Sequence, residues 1–97
     1  MTTKPTTAFA DHAELCAQIM VMAIEITRGG RYHVFAEYSG HVNWFEVKVL
    51  PSSQVYAKSV PQEVVHEALI CLDHDHAREG LELEIGALND LASVEAA

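Results

Sequence analysis

The sequence predicts an α+β fold in which a three-stranded antiparallel sheet, a meander, is flanked by an N-terminal helix and by C-terminal helices. Three observations lead to this prediction. Apolar residues recur at helical spacing before residue 28, alternate with polar residues in the middle of the chain, and recur at helical spacing again after residue 60. Ninety-seven residues are expected to form a single domain, 1–97, around one modest core.

The first helix is predicted over residues 8–28, after a polar terminus at 1–7. Asp11 places negative charge near its start and Arg28 places positive charge at its end, as the helix dipole favours. Gly29-Gly30 then supplies a C-terminal stop. Apolar side chains at three- and four-residue spacing define the face expected to be buried: Cys16, Ile19, Met20, Ala23 and Ile26.

A β-hairpin is predicted next, because residues 31–38 and 41–50 alternate between apolar and polar side chains. Ser39-Gly40 is a plausible two-residue turn, which would place Tyr38 opposite His41. A second turn follows at 51–53. Consecutive strands with short connections favour an antiparallel meander.

The two faces of this hairpin differ in character. The face expected to enter the core reads Tyr32, Val34, Ala36, Phe45, Val47 and Val49. The other face places Phe35 opposite Trp44, and both are exposed if the helices cover only one side of the sheet. Large exposed aromatic side chains are typical of contact sites. Alternatively, the pair is a cross-strand aromatic contact, or helices cover that side too.

The predictions for residues 54–80 are a short third strand and a helix. The strand is expected at 54–58. Ser59 and Gln62 have the spacing of a capping box, which predicts a helix start. An apolar stripe continues this helix: Val65, Leu69 and Leu72.

Gly80 is expected to break or kink the C-terminal helical region. The apolar stripe that follows it does not line up with the earlier one. The alternation over 81–85 also permits a strand. The longer period that continues through Leu91 favours a helix.

All of the net negative charge comes from residues 59–97. Residues 1–58 carry five basic and five acidic side chains, whereas 59–97 carry nine acidic side chains and one basic one, Arg78, which gives −8. An acidic surface repels nucleic acid and attracts proteins that bind nucleic acid. The charge therefore indicates a positively charged partner and disfavours direct binding of nucleic acid.

On a continuous helix the acidic residues of this region would form a row. Carboxylates at i and i+4 are roughly 6 Å apart along the axis, and a DNA strand carries one phosphate about every 3.4 Å. Such a row could occupy a groove built for phosphates. The alternative interpretation is a solvated face that keeps the protein soluble. The predicted partner-binding residues are Glu63, Glu67, Asp75, Glu79 and Glu82, with Phe35 and Trp44 at the edge.

The sequence indicates no metal, no cofactor and no enzymatic reaction. On a helix His74 and His76 would point to nearly opposite sides, and two ligands do not make a metal site. We find no nucleophile elbow and no glycine-rich phosphate loop. No apolar stretch reaches the ~18–20 residues needed to span a bilayer, and no signal peptide is recognisable. We therefore expect a cytoplasmic protein without a membrane partner.

The hairpin carries a short resemblance to known proteins. YHVF at 32–35, YSGHVN at 38–43 and VKV at 47–49 resemble a phrase found in small uncharacterised phage and prophage proteins. Length, acidity and the helix–hairpin–helix layout resemble the small anti-CRISPR proteins of phages and mobile elements. The acidic inhibitors of the type I-F surveillance complex are closest in character. These proteins share no common motif, so the resemblance assigns no residue a role.

The resemblance implies a non-enzymatic inhibitor in the bacterial host cell. Such a protein would bind Cas subunits at their positively charged DNA-binding surface by acidic DNA mimicry, without binding nucleic acid itself. This agrees with the charge distribution. The alternative function is that of a small phage structural or accessory protein that self-associates through its sheet.

Overall fold

Two helices and three strands make up the fold. In chain order they are α1 (Thr3–Arg28), β1 (Tyr32–Ser39), β2 (Trp44–Pro51), β3 (His66–Cys71) and α2 (Ala77–Ala96). This computed structural model describes residues 3–96, and the side-chain surroundings of residues 11–93. The strands form one sheet in the order β1-β2-β3, and both pairings are antiparallel. The predicted α+β class, with an antiparallel meander, is confirmed.

The core lies between the two helices and one face of the sheet. β2 is the central strand, and its inward side chains are fully buried because both neighbouring strands and both helices surround them. Burial of such apolar surface is the main force that holds the layers together. The buried cluster comprises Ile19, Ile26, Phe45, Val47, Val49, Ile70, Ala77, Leu81 and Leu88.

Helix α1 is longer than the sequence pattern predicts. It begins at Thr3 rather than Ala8, so most of the predicted polar terminus is helical, while residues 1 and 2 lie outside the described part. Met20, expected on the buried face, is exposed at the margin of the apolar stripe. The helix ends as predicted: the amide of Gly29 bonds back into the last turn, and Gly30 has a φ of 90°, which glycine adopts without strain.

The hairpin has a longer turn than predicted, and its register is different. Ser39 pairs with Trp44, so residues 40–43 form the loop, and Phe35 pairs with Lys48 rather than with Trp44. The shift is an even number of residues, which preserves the two faces. Phe45 and the other predicted inward side chains of β2 are therefore still buried, which confirms that face of the hairpin.

The third strand lies at His66–Cys71, and the predicted strand at 54–58 is wrong. Residues 52–65 form a long loop between β2 and β3. The helix expected to start at Ser59 is also wrong, because the segment 66–71 pairs with the second edge of β2 and supplies its ladder of backbone hydrogen bonds. Its burial alternates, with Ala68 and Ile70 facing inward.

A single C-terminal helix replaces the two that were predicted. α2 begins at Ala77 and continues past Gly80 without a break, with Gly80 beside the side chain of Ile70. The two apolar stripes that failed to line up belong to a strand and a helix. The strand alternative over 81–85 does not occur, since Leu81 and Leu88 form one buried helical stripe with spacing near two turns.

The open sheet face and the acidic side chains

The helices cover one face of the sheet, and we call the other the open face. The register places these side chains on it: His33, Phe35 and Glu37 from β1, Trp44, Glu46, Lys48 and Leu50 from β2, and Glu67, Leu69 and Cys71 from β3. Successive residues of a strand point to opposite faces, which fixes this assignment.

The loop 52–65 covers one end of the open face. The hydroxyl of Tyr56 lies 2.8 Å from Nδ1 of His33, and the two rings stack with centroids 5.9 Å apart. Tyr56 also contacts Phe35 edge-on, with centroids 6.2 Å apart. Leu50 lies near this cover and is only 1% exposed, although it projects from the open side of the sheet. The uncovered part therefore begins at Phe35.

Gln54 holds the loop in shape through both ends of its side chain. Its Oε1 accepts a hydrogen bond from the backbone amide of Glu63 at 2.7 Å. Its Nε2 donates to the backbone oxygens of Val55 and Pro61 at 2.9 and 3.2 Å. These bonds close the loop on itself, which sets the position of Tyr56 over the sheet.

Three large apolar side chains stand exposed on the uncovered part. Phe35 is 49% exposed, Trp44 is 41% exposed and Leu69 is 55% exposed. The structure thus confirms the predicted exposure of the two aromatic residues. It separates them, however, since they lie on different cross-strand rows instead of facing one another. A spread of apolar side chains of this kind is typical of interaction surfaces.

Carboxylates lie between these apolar side chains. Glu37 and Glu46 are direct cross-strand partners, and Glu46 is in turn paired with Leu69. Like charges directly opposite each other destabilise a sheet. Lys48 lies on the next row, opposite Glu67. Its Nζ donates to Oε1 of Gln62 at 3.3 Å.

The same carboxylates line a cavity of about 270 Å³. Its walls come from the first two strands and from the covering loop. Its lining residues are Phe35, Glu37, Glu46, Lys48, Leu50, Tyr56 and Gln62.

The five acidic residues predicted to bind a partner do not share one helix. Glu63 lies in the loop 52–65, Glu67 on β3 and Asp75 in the turn before α2, while Glu79 and Glu82 lie on α2. All five are exposed. The predicted continuous helical row is therefore wrong, because the segment that contains Glu67 is a strand.

Arg78 offsets part of this charge. Its Nη1 lies 3.0 Å from Oδ2 of Asp11 on α1, and its Nε lies 3.3 Å from Oε2 of Glu82 one turn along α2. Both pairs are exposed to solvent, where such ion pairs contribute little to stability. Arg78 is the single basic residue of 59–97. The other exposed acids of that region therefore have no local basic residue from their own segment.

One acidic residue of this region is buried and belongs to the core. Glu84 is 3% exposed, and both of its carboxylate oxygens lie 2.8 Å from Nε2 of His66 on β3. Charge counting from the sequence places Glu84 with the surface acids. The signal that identifies it is its position at i+3 from Leu81 and i−4 from Leu88, on the buried stripe of α2.

The histidines before α2 are close together. The rings of His74 and His76 lie 5.5 Å apart, whereas a helical arrangement would separate them. Both precede α2 in the turn after β3. His76 Nδ1 bonds to Oε1 of Glu79. Within residues 11–93, the structure contains no cluster of three or more metal-binding side chains.

An apolar groove of about 540 Å³ lies between α1 and the hairpin turn. Cys16 and Tyr38 are among its lining residues. Burial raises the pKa of the Cys16 thiol. Cys16 and Cys71 are both free cysteines.

The chain matches no protein-family model, no curated protein and no solved structure. Within the described residues, neither helix is long and apolar enough to cross a membrane.

Proposed function

We propose that this chain is a non-enzymatic binding protein that engages a positively charged, nucleic-acid-binding surface of a partner through its carboxylates. One observation carries the proposal. The predicted partner-binding acids are exposed, and Arg78, the only basic residue among 59–97, is already held by Asp11 and Glu82. Glu79 is also bonded to His76. Within the described residues, Glu63, Glu67 and Asp75 are therefore the predicted acids that no ion pair joins to a cation, so they can pair with cations of another molecule.

Physical arguments favour a basic partner over a small ligand. A net charge of −8 on 97 residues creates a field that accelerates encounter with a positively charged protein. Each charge-assisted hydrogen bond formed on contact contributes about 1.5–3 kcal/mol. Acids on a loop, a strand and a helix also present charge over a broad area, which suits an extended protein surface.

The sequence resemblance narrows the proposed partner. It points to the Cas subunits of the type I-F surveillance complex in a bacterial host cell, with the acidic protein in the place of target DNA. The distribution of the acids alters how this mimicry would work. Carboxylates from several elements would contact separate basic side chains, rather than one helix following a phosphate-binding groove.

A competition experiment tests the proposal. Purified type I-F surveillance complex is immobilised, and binding of the chain is measured at low and at high salt together with the binding of target DNA. We expect the chain to bind and to block DNA, with both effects weaker at high salt because ions screen exposed charges. Absence of binding at low salt, or binding that leaves DNA association intact, would contradict the proposal.

The open face also supports a second candidate, a structural or accessory protein that self-associates through its sheet. The exposed apolar side chains of Phe35, Trp44 and Leu69 favour it. Light scattering over a range of concentrations separates the two functions. A dimer that Trp44→Ala abolishes would support self-association, whereas a monomer at all concentrations would reject it.

A further inference from the structure

We propose that the open face is the surface that docks the basic partner, and that it receives an arginine side chain between Glu37 and Glu46. This inference rests on the proposed function, and it names the contact surface and the partner's chemistry. The sequence alone directed attention to the acids after residue 58. Glu37 and Glu46 come earlier in the chain and become a pair only through the register of β1 and β2.

The pairing of these carboxylates is unfavourable in the isolated protein. They are directly opposite each other in an antiparallel ladder, where like charges destabilise the sheet. The described part of the chain contains no ion pair within 4 Å that joins either of them to a cation. A cation supplied by another molecule would remove this repulsion.

Lys48 is the basic residue nearest to the pair in the ladder, and it lines the same cavity, where it is hydrogen-bonded to Gln62. It lies one cross-strand row away, opposite Glu67, and its Nζ donates to Gln62 at 3.3 Å. Even when Lys48 is counted against Glu37, Glu46 and Glu67, the open face keeps an excess of negative charge. That excess complements a basic partner.

The shape of the site favours arginine. The cavity of about 270 Å³ is lined by the two carboxylates, by Lys48 and by the rings of Phe35 and Tyr56, so its charged lining is net negative. A guanidinium group offers planar, forked donors to carboxylates and stacks on aromatic rings, whereas an ammonium group is a compact and strongly hydrated charge. The partner segment is therefore expected to present arginine in preference to lysine.

The apolar side chains around the cavity would complete the contact. Leu69 lies on the same cross-strand row as Glu37 and Glu46, and Trp44 lies on the next row. Aromatic residues are common anchors of protein interfaces. A second copy of this chain is a poorer occupant. Two copies placed face to face would bring two acidic surfaces together, with like-charge repulsion across the interface.

Trp44 allows a direct test, because it is the only tryptophan of the chain and lies on the open face. Its fluorescence is titrated in the full chain with a nine-residue polyarginine peptide and with a nine-residue polylysine peptide. We expect saturable binding that is several-fold tighter for arginine. The double variant Glu37→Gln/Glu46→Gln should bind polyarginine about tenfold more weakly.

The matched control is Glu14→Gln/Glu25→Gln on α1, which removes the same charge from another exposed surface. It should weaken binding by less than about threefold, because distant exposed charges act mainly through the screened field. Thermal unfolding checks that the first variant is folded. Because that variant lacks the like-charge pair, its thermal unfolding midpoint should equal or exceed that of the wild type. If the double variant does not fold, the single variant Glu46→Gln replaces it in the binding experiment.

Several results would overturn the inference. One is an equal loss in both double variants, and another is binding of polylysine as tight as that of polyarginine. A dimer at micromolar concentration that Trp44→Ala dissociates would assign the open face to a second copy instead. The proposed function can hold even if this inference fails. Loss of surveillance-complex binding in a separate α2 variant, Glu79→Gln/Glu82→Gln, but not in the open-face variant, would keep that function and reject the open face as its contact surface.

Discussion

Nε2 of His66 lies 2.8 Å from both carboxylate oxygens of Glu84, and this contact joins β3 to α2 inside the protein. The carboxylate is buried, whereas the side chain of His66 retains 31% exposure. The two partners therefore do not contribute equally. Removal of the histidine leaves a buried carboxylate without its donor, while removal of the carboxylate leaves an imidazole that can still contact water.

The first prediction follows from this asymmetry. His66→Ala should lower the free energy of unfolding by about 3 kcal/mol, because an unpaired buried charge is costly. Glu84→Leu should change it by no more than about 1 kcal/mol, since an apolar side chain suits the stripe that includes Leu81 and Leu88. Urea unfolding measures both. Equal losses would show that the contact, rather than the buried charge, determines stability.

Sequence periodicity predicted the elements whose structure is set by local spacing. α1 and the two faces of the hairpin follow from patterns within a few residues, so they could be predicted. The register of the hairpin depends on the loop 40–43, and β3 depends on pairing with β2 across a long loop. Neither the hairpin register nor β3 produces a recognisable pattern within a few residues of sequence. The repeat at Val65 and Leu69 fits a helix as well as a strand, which explains the misassigned helix.

In the candidate site too, features set by local spacing could be predicted and features set by distant pairing could not. Exposure of Phe35 and Trp44 could be predicted from strand alternation. The opposition of Glu37 and Glu46 could not, because the predicted register paired other residues. The covering role of Tyr56 was also hidden, since it depends on the path of the loop 52–65 across the sheet.

Asn43 is predicted to be the most sensitive residue of the hairpin loop. It has a φ of 56°, its Oδ1 accepts from the hydroxyl of Tyr38 at 2.7 Å, and its Nδ2 donates to Asp73 at 2.9 Å. Asn43→Ala loses both bonds and strains the backbone, at a cost of about 2 kcal/mol. Asn43→Gly also loses both bonds but leaves the backbone unstrained. It should therefore lower the free energy of unfolding, measured in urea, by less than Asn43→Ala does. A larger loss for glycine would contradict this account.

Two glycine substitutions are predicted to act in opposite directions. Gly86 lies exposed within α2, where an added Cβ meets no atom within 4 Å, so Gly86→Ala should stabilise the protein by about 1 kcal/mol. Gly30 has a φ of 90°, so Gly30→Ala should destabilise it by about 1 kcal/mol or more. The thermal unfolding midpoint should be higher than that of the wild type for Gly86→Ala and lower for Gly30→Ala. A shift of both in one direction would contradict the assigned backbone roles.

The pKa of the Cys16 thiol is raised from its ordinary value of 9.0 by burial, which predicts slow alkylation. In a Cys71→Ser variant at pH 7.5, iodoacetamide should modify Cys16 more slowly in the folded protein than in the protein unfolded in urea. The folded state holds the thiol proton more tightly than the unfolded state does. The stability that Cys16 contributes is therefore present below pH 9.0 and is lost as the pH rises through the folded pKa. Equal alkylation rates in the two states would reject burial of the thiol.

The last prediction concerns which acids serve recognition. Glu63→Gln with Glu67→Gln removes two charges next to or on the open face, whereas Glu14→Gln with Glu25→Gln removes two exposed charges from α1. Neutralisation is preferable to reversal, because a lysine at position 67 would oppose Lys48 across the strands. The first pair should weaken binding to the surveillance complex about tenfold. The α1 pair should weaken it by less than about threefold, since charges outside a contact act mainly on the association rate. Circular dichroism establishes that both variants are folded, and equal losses would mean that only the overall charge of the protein is recognised.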